Sequence, residues 1–448
     1  MNIVLLFCWF TGIIFAEFSV LEQLQGCWHN SGDDIFMIGA SRMEKNLRGF
    51  LAEHVLAMSA YWICTGVLVA KLTEYYSLPL SLSNFLTGLS STLLVLQPIG
   101  GIIYPKIKNK RSYLVSLNLF WRISLCLVFL TVLLPSVEGG WLVCVFLISM
   151  SAGQQLISPA YNDWHVQAVE GRGNSDFYTS RETLFMLVYT VALASIQAIL
   201  SITEKSGHLK GGFLVSGGIE ITLLAMSCVC MLRLPAPAPI EKEAPNMFSM
   251  MASVFKDKLF AGVLWANTMW SFANMFVGGF FSLYAVRVLK VDLMQIMIWS
   301  AVGNFMRGML APVFSRLAKK IGWKNCLSLM IGIMMLVAVG WYNTSPQNMW
   351  WLVPILLAMS AVPNAGLSVG ILRMQIATSP AELRSVYFSV LSFMGGLLSV
   401  VATFLCSGMV SGIESGKLPL HMNHIFMVGF IFMIIPIILF QKMKQEVH

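Results

Sequence analysis

The chain has 448 residues, with 29 Lys and Arg against 21 Asp and Glu, and a formal net charge of +8 at neutral pH. It is 57% hydrophobic and only 11% charged, whereas a soluble protein of ordinary composition carries about 25% charged residues. With a mean hydropathy of +0.74, these values exclude a water-soluble globular domain as the body of the chain.

The first forty residues begin MNIVLLFCWFTGIIFAEFSVL, an apolar run that Glu17 interrupts and no basic stretch precedes. That makes a poor signal peptide. An interfacial helix, a thirteenth span and sequence upstream of a start at Met43 all stay open, and residues 1–40 are read as an accessory extension. Twelve apolar runs follow, near 49–70, 81–104, 113–135, 140–164, 182–203, 212–232, 259–286, 293–314, 325–343, 350–372, 386–410 and 423–441. Most have the ~18–25 residues needed to cross ~30 Å of hydrocarbon. They lack strand-like alternation, and a helix satisfies its own backbone in lipid. The predicted fold is therefore all-α and polytopic, with twelve transmembrane helices.

Two connections are long, 165–181 and 233–258. The second contains LPAPAPIEKEAPNM, whose prolines cannot extend a helix. It divides the spans six and six, into an N-terminal bundle over 41–232, a linker over 233–258 and a C-terminal bundle over 259–448. Of the 29 cations, 21 fall on one side and six on the other, leaving Arg122 and Arg307 inside spans. Positive loops stay in the cytoplasm. Both ends of the twelve-span core are thus expected to be cytoplasmic, in the cytoplasmic membrane, and the surplus charge needs no nucleic-acid partner.

The halves also repeat. GGIIYPKIKNKRSYL after the second span aligns with SRLAKKIGWK after the eighth, and WHVQAVEGRG at Trp164 aligns with LRMQIATSPA at Leu372, superimposing Gln167 on Gln375. Such repeats mark transporters whose two bundles rock around a midplane site.

On these residues the sequence resembles the major facilitator superfamily. The family's motif after spans 2 and 8 is a Gly, three residues, Asp-Arg, any residue, Gly, then two basic residues. The first copy keeps Gly101, Lys106, Lys110 and Arg111, with Pro105 at the Asp position and Lys108 at the Gly position. The second keeps Arg316, Lys319, Lys320, Gly322 and Lys324, with Ser315 at the Asp position. SPAYNDWHV followed by Arg172 and Arg181 resembles an uncharacterised prokaryotic branch. The resemblance covers 41–448 and implies two pseudo-symmetric six-helix bundles that transport by alternating access.

In the family, the motif's Asp closes the cytoplasmic side against a helix N-terminus of the opposite half. Both copies here lack it, so the closing contact is weaker or is built elsewhere. The motif copies contribute Gly101, Lys106, Lys110, Arg111, Arg316, Gly322 and Lys324 as gating candidates. The loops after spans 4 and 10 add Asp163, Arg172, Arg181 and Glu182, and Arg373, Glu382 and Arg384. Ordinary interfacial charge is the competing reading. Span 5 has no Gly-Pro-Gly-Gly element of the family's drug–proton antiporters, which argues against drug efflux.

The resemblance puts spans 1, 4, 7 and 10 around a central cavity, with span 8 beside it. The candidate substrate site is Tyr61, Trp62, Gln154, Gln155, Trp270, Asn274, Asn304, Arg307 and Asn364. Gln and Asn offer both donors and acceptors, Trp stacks on a ring, and Arg grips a carboxylate or phosphate. Interhelical packing is the alternative for each. For Arg307, an anionic solute competes with snorkelling and with an acidic partner on another helix. Pro363-Asn364-Ala365-Gly366 predicts a bend or break in span 10. Arg122 and Glu220 reach similar depth and are expected to pair, while Glu53 and His54, at the start of span 1, are expected to be solvated.

Other chemistry is sparse. Nine Cys form no CxxC pair, so neither a disulfide nor zinc is expected. His421 and His424 are a weak metal signal. There is no phosphate-binding loop and no nucleophile–base spacing. The reading is secondary active transport of a small organic solute, with no cofactor and a proton among the candidate coupling ions. The alternative is a polytopic membrane enzyme or receptor without transport activity.

Overall fold

The structure, a computed structural model, describes residues 45–65, 67–170, 177–238, 247–291 and 293–443. The 1–40 extension and Arg172 lie outside them. The described residues form helices and no strand. The first span is α1 (Lys45–Ile63) and α2 (Val67–Tyr75), bent by 43°. The second is fragmented into α3 (Leu80–Thr87), α4 (Leu89–Thr92) and α5 (Gln97–Ile103). Then come α6 (Lys110–Leu130), α7 (Ser136–Val169), α8 (Phe177–Lys205) and α9 (Leu209–Arg233). Beyond 233–246 lie α10 (Met247–Lys256), α11 (Lys258–Asn274), α12 (Phe281–Arg287), α13 (Leu293–Ile321) and α14 (Trp323–Tyr342). The series ends with α15 (Met349–Thr378), α16 (Arg384–Glu414) and α17 (His424–Lys442).

Among the described residues nine helices are long and apolar enough to cross a membrane, ten when α1–α2 counts as one span. The two other predicted spans coincide with the fragmented α3–α5 segment and with α13, which carries Arg307 and Arg316 along its apolar stretch. Trp121, Trp341, Phe50 and Phe213 are fully buried between helices, while Phe404, Trp141 and Leu336 stand 74%, 70% and 61% exposed. An outer surface of that kind suits hydrocarbon, not water. Helix α1 packs on α8 and α9, α6 on α7, α11 on α16 and α17, and α15 on α13 and α14. The two groups meet where α8 touches α13 and α15, and where α16 touches α5 and α7.

Several local expectations are corrected. The connection 233–258 contains α10, and the Asp257 carboxylate accepts from the Leu259 and Phe260 amides to start α11, the usual work of an N-cap. Helix α13 runs on through SRLAKK, so Arg316, Lys319 and Lys320 lie on its last turns, where the negative end of the helix dipole favours cations. Gly322 then turns the chain at φ +82°, a backbone conformation that glycine adopts without a Cβ penalty. Helix α15 is unbroken through Pro354 and Pro363. Asn364 Nδ2 donates to the Ser360 carbonyl at 2.9 Å, and Ser368 Oγ to the Asn364 carbonyl at 2.7 Å, adding bonds around the proline. The irregularity lies instead between α11 and α12, where Met275–Gly279 forms a π turn, a feature common at functional sites.

Candidate functional site

Three constellations of polar side chains occur within this apolar framework. The first joins the ends of α7 and α16. Arg384 opens α16, and its Nη1 and Nη2 donate to Glu170 Oε2 and Oε1 at 3.1 and 2.9 Å. Nη1 is also 3.7 Å from Asp163 Oδ1. The Arg384 and Asp163 side chains are 3% exposed, and Glu170 is 53% exposed. Gln167 Nε2 holds the other Asp163 oxygen at 2.8 Å. At the next residue of α16, Ser385 Oγ donates to the Gly101 carbonyl at 3.1 Å. A Cβ at Gly101 would lie 2.7 Å from the Ser385 carbonyl oxygen, so α5 and α16 approach this closely only because Gly101 has no side chain.

Of the expected gating residues, Gly101 and Asp163 therefore meet Arg384 and its helix. Lys110 is buried and donates to the Ala238 carbonyl at 3.3 Å, and Arg111 donates to the Leu232 carbonyl at 3.0 Å. Both line a cavity of about 360 Å³ with Lys108, Asn109, Ala236 and Pro237. These two cations tie the start of α6 to the end of α9 and to the segment just after it. Arg181 and Arg373 lie over the Tyr178 ring at 5.4 and 5.9 Å, joining α8 to α15. Lys106 and Arg316 are exposed and Lys324 is half-buried. Glu170 was missed, although it lies within the repeated stretch WHVQAVEGRG.

The second constellation is the ion pair between α13 and α8. Arg307 Nε donates to Glu182 Oε1 at 2.8 Å, and Nη2 lies 2.6 Å from the same oxygen. Nη2 also donates to Ser368 Oγ on α15. Arg307 thus has an acidic partner on another helix, one of the readings open to it from the sequence. Asn304 lies one turn before it, and Asn364 is linked to it through Ser368.

The remaining expected substrate residues form two further groups. Tyr61 OH bonds Ser90 Oγ at 2.9 Å, and Gln155 bonds the Ser90 carbonyl at 2.9 Å and accepts from Gln97 Nε2 at 2.7 Å. That chain packs α1, α7 and the second span together. Trp270 is buried one turn before Asn274, whose Oδ1 is buried without a hydrogen-bond partner beside the π turn. Gln154 Oε1 is also buried and unpartnered, and Trp62 is 51% exposed.

The third constellation contradicts two expectations. Arg122 pairs with Glu53 on α1, not with Glu220. Its Nη1 meets α9 at Cys228 Sγ (3.7 Å) and Met231 Sδ (3.5 Å), more than two turns beyond Glu220, or ~12 Å at 1.5 Å per residue. Glu220 is fully buried, with neither oxygen hydrogen-bonded. Glu53 is not solvated but 0% exposed. On α1, Glu53 faces α6 and α7 rather than water. Its second oxygen accepts from Tyr161 OH and lies 3.6 Å from His165 Nε2. His54 is half-buried, its ring 5.6 Å from that of His165.

Among the described residues no three His, Cys, Asp or Glu are arranged to hold a metal, and the seven described cysteines are free.

The fold is similar to that of a bacterial homologue of the iron transporter ferroportin in an outward-facing state. The two are 13% identical, with a TM-score of 0.67, covering 89% of this chain and 99% of that one. It is also similar to the fucose:proton symporter FucP of E. coli, at 13% identity and a TM-score of 0.65 over 89% and 98% of the two chains. At such identities the likeness shows the fold alone. No curated protein matches the sequence. The family model for the Major Facilitator Superfamily matches residues 54–403, most of the chain and nearly all of the helical framework, and the chain belongs to that superfamily.

Proposed function

We propose that the chain is a secondary transporter that moves a small organic solute across the cytoplasmic membrane by alternating access. The bundles over 41–232 and 259–448 rock about the centre, with the linker and both ends of the core in the cytoplasm. One observation carries this reading: Arg384, at the head of α16, is held by Asp163 and Glu170 at the foot of α7. This contact bridges the bundles where the family's missing motif Asp would act, so it serves as the cytoplasmic latch. Likeness to a structure described as outward-facing supports a closed cytoplasmic side.

The solute site is built around Trp62, Gln154, Trp270, Asn274 and Asn304, with the Arg307–Glu182 pair as its charged wall. That wall is net neutral, which suits an uncharged or zwitterionic polar solute. No observation favours a membrane enzyme.

The test is thermal stabilisation of the purified protein across sugars, polyols and amino acids, followed by vesicle uptake of each hit. A ligand at 100 times its dissociation constant adds about 2.7 kcal/mol. Uptake of a hit that depends on Asn274 and Arg307 supports the proposal. Hits that bind and are never moved refute it.

A further inference from the structure

The closing contact leaves the cavity at the start of α6 without a role. It measures about 360 Å³, within the about 300–1,000 Å³ of small-ligand pockets. Three of its lining residues are cations, Lys108, Lys110 and Arg111, and Ala236 and Pro237 bring in the linker. Lys110 is only 6% exposed, an enclosure that removes much of a cation's hydration. Its Nζ donates to the Ala238 carbonyl at 3.3 Å and lies 5.5 Å from the centre of the Tyr104 ring. Arg111 Nη2 donates to the Leu232 carbonyl at 3.0 Å. Both cations are thus held by neutral groups, and among the described residues no carboxylate forms an ion pair with any of the three. Their own helix opposes them as well, because a helix N-terminus favours anions. The Asn109 side chain takes the Ser112 amide, so the Lys110 and Arg111 amides stay without a carbonyl partner in the helix. Setting topology needs cations only somewhere in a loop, and does not need one enclosed beside a cavity.

We propose that this cavity is a binding site for a phosphate group, and that the occupied site fastens the linker to the N-terminal bundle. An ammonium has three N–H donors and a guanidinium five. Lys110 and Arg111 each use one on a carbonyl at the start of the linker, so the cations that pin it keep donors for an anion. Lys108 is exposed and adds a third charge. A phosphate dianion answers more of that charge than a carboxylate does, and Arg meets phosphate through two parallel bonds. Free amides at a helix N-terminus bind the same group. The volume leaves room for part of what the phosphate is esterified to. A lipid headgroup and a soluble phosphate ester share this chemistry. Either one removes the repulsion among the three cations and holds Lys110 and Arg111 over the carbonyls they already bond.

The linker in turn touches the closing contact. The Ala238 amide donates to Gln167 Oε1 at 3.0 Å, and Gln167 Nε2 donates to Asp163 Oδ2 at 2.8 Å. Trp164 Nε1 adds a bond to the Pro235 carbonyl at 3.1 Å. Fastening Ala238 therefore steadies the carboxylate that faces Arg384, and an occupied site favours the closed contact. This last step rests on the transporter reading.

The experiment measures thermal unfolding of the full-length protein in phosphatidylcholine nanodiscs. The probes are glycerol 3-phosphate in solution and phosphatidate added to the discs, with acetate at matched ionic strength as the control. At least one phosphate probe should raise the unfolding midpoint, and acetate should not. Stabilisation by phosphatidate alone assigns the site to a lipid headgroup, and stabilisation by glycerol 3-phosphate assigns it to a soluble ester. Lys108→Gln and Arg111→Gln, both at exposed positions, should each displace the dose curve by about tenfold through loss of charged hydrogen bonds. Lys320→Gln removes the same charge from another exposed position and should leave the curve in place. No stabilisation by either probe, or equal displacement in all three variants, overturns the site. With the stabilising probe bound, hydrogen exchange at 232–238 should fall, and exchange at 384–389 should fall with it. No change at 232–238 overturns the fastening, and a fall there alone overturns the link to the closing contact. None of these measurements needs a transported solute, so failure of the transporter reading would show in the uptake assay alone.

Discussion

Replacing Arg384 by Ala should open the cytoplasmic side. The Asp163 side chain is 3% exposed and faces Arg384 at 3.7 Å. Removing the cation leaves that carboxylate with Gln167 and no partner from α16. Breaking a buried pair in this way costs about 3–5 kcal/mol, and the cost falls on the closed state only. At about 1.4 kcal/mol per factor of ten, the closed-to-open ratio should fall by about 10² to 4 × 10³. Glu170 is 53% exposed, so Glu170→Gln removes an exposed pair worth about 0–1 kcal/mol and should shift the ratio by about fivefold at most. Asp163→Asn should fall between the two. Spin labels at the exposed Lys108 and Lys320 would report the opening as a longer distance population. An unchanged distribution in Arg384→Ala, or a shift in Glu170→Gln as large as in Arg384→Ala, would refute the argument.

Arg122→Met should lower stability by about 3–5 kcal/mol, because it strands Glu53 in a buried site, and adding Glu53→Gln should restore much of the loss. Additive unfolding midpoints for the two changes would show that the pair is not coupled. Glu220→Met should raise stability by about 1–3 kcal/mol, since two unsatisfied buried oxygens are removed; a lower midpoint in detergent unfolding would contradict this. Gly101→Ala should push α16 away from α5 and reduce the closed population seen by the same labels, whereas an unshifted distribution would mean that the Ser385 contact is slack. Arg307→Gln should weaken solute binding by about 1.5–3 kcal/mol through loss of charged hydrogen bonds, with Arg307→Lys in between. Matching affinities in all three proteins would remove Arg307 from the site.

Much of the framework was legible because lipid imposes one rule on every helix. Apolar length located the helices, and the repeated loop stretches pointed to the superfamily. Side-chain partnerships were not legible to the same degree. Hydropathy gives depth along the membrane normal and says nothing of the direction a side chain takes around its helix. Arg122 and Glu220 match in depth by residue count, yet Arg122 turns toward α1 and reaches α9 well beyond Glu220. Glu53 followed the same rule: its place near the start of a span suggested water, whereas its face of α1 turns it toward Arg122 and Tyr161. Pro363 was a poor guide because Asn364 and Ser368 add hydrogen bonds beside it, whereas Gly278-Gly279 falls in the turn where the helix does change. Glu170 has an ordinary loop sequence around it, and only its distance from Arg384 gives it meaning.

The charge at the head of α16 explains why such a latch can be both firm and releasable. A helix N-terminus carries a partial positive charge, which favours anions and disfavours cations by about 0.3–1 kcal/mol. Arg384 is the first residue of α16, so it sits where its own helix opposes it. A motif Asp in that place would be favoured by α16 from the adjacent loop. Pro105 and Ser315 occupy the two motif positions, and neither carries charge. The compensating anions come from α7 instead, with Asp163 buried and Glu170 partly in water. While α7 and α16 touch, the two carboxylates satisfy the guanidinium. Once they part, Arg384 must turn to water, and Asp163 loses its counter-charge. The contact to Glu170 rests on two parallel bonds of about 3 Å, so it weakens steeply as the helices part. Under the transport reading proposed above, the buried Asp163 carries most of the difference between the closed and the released state.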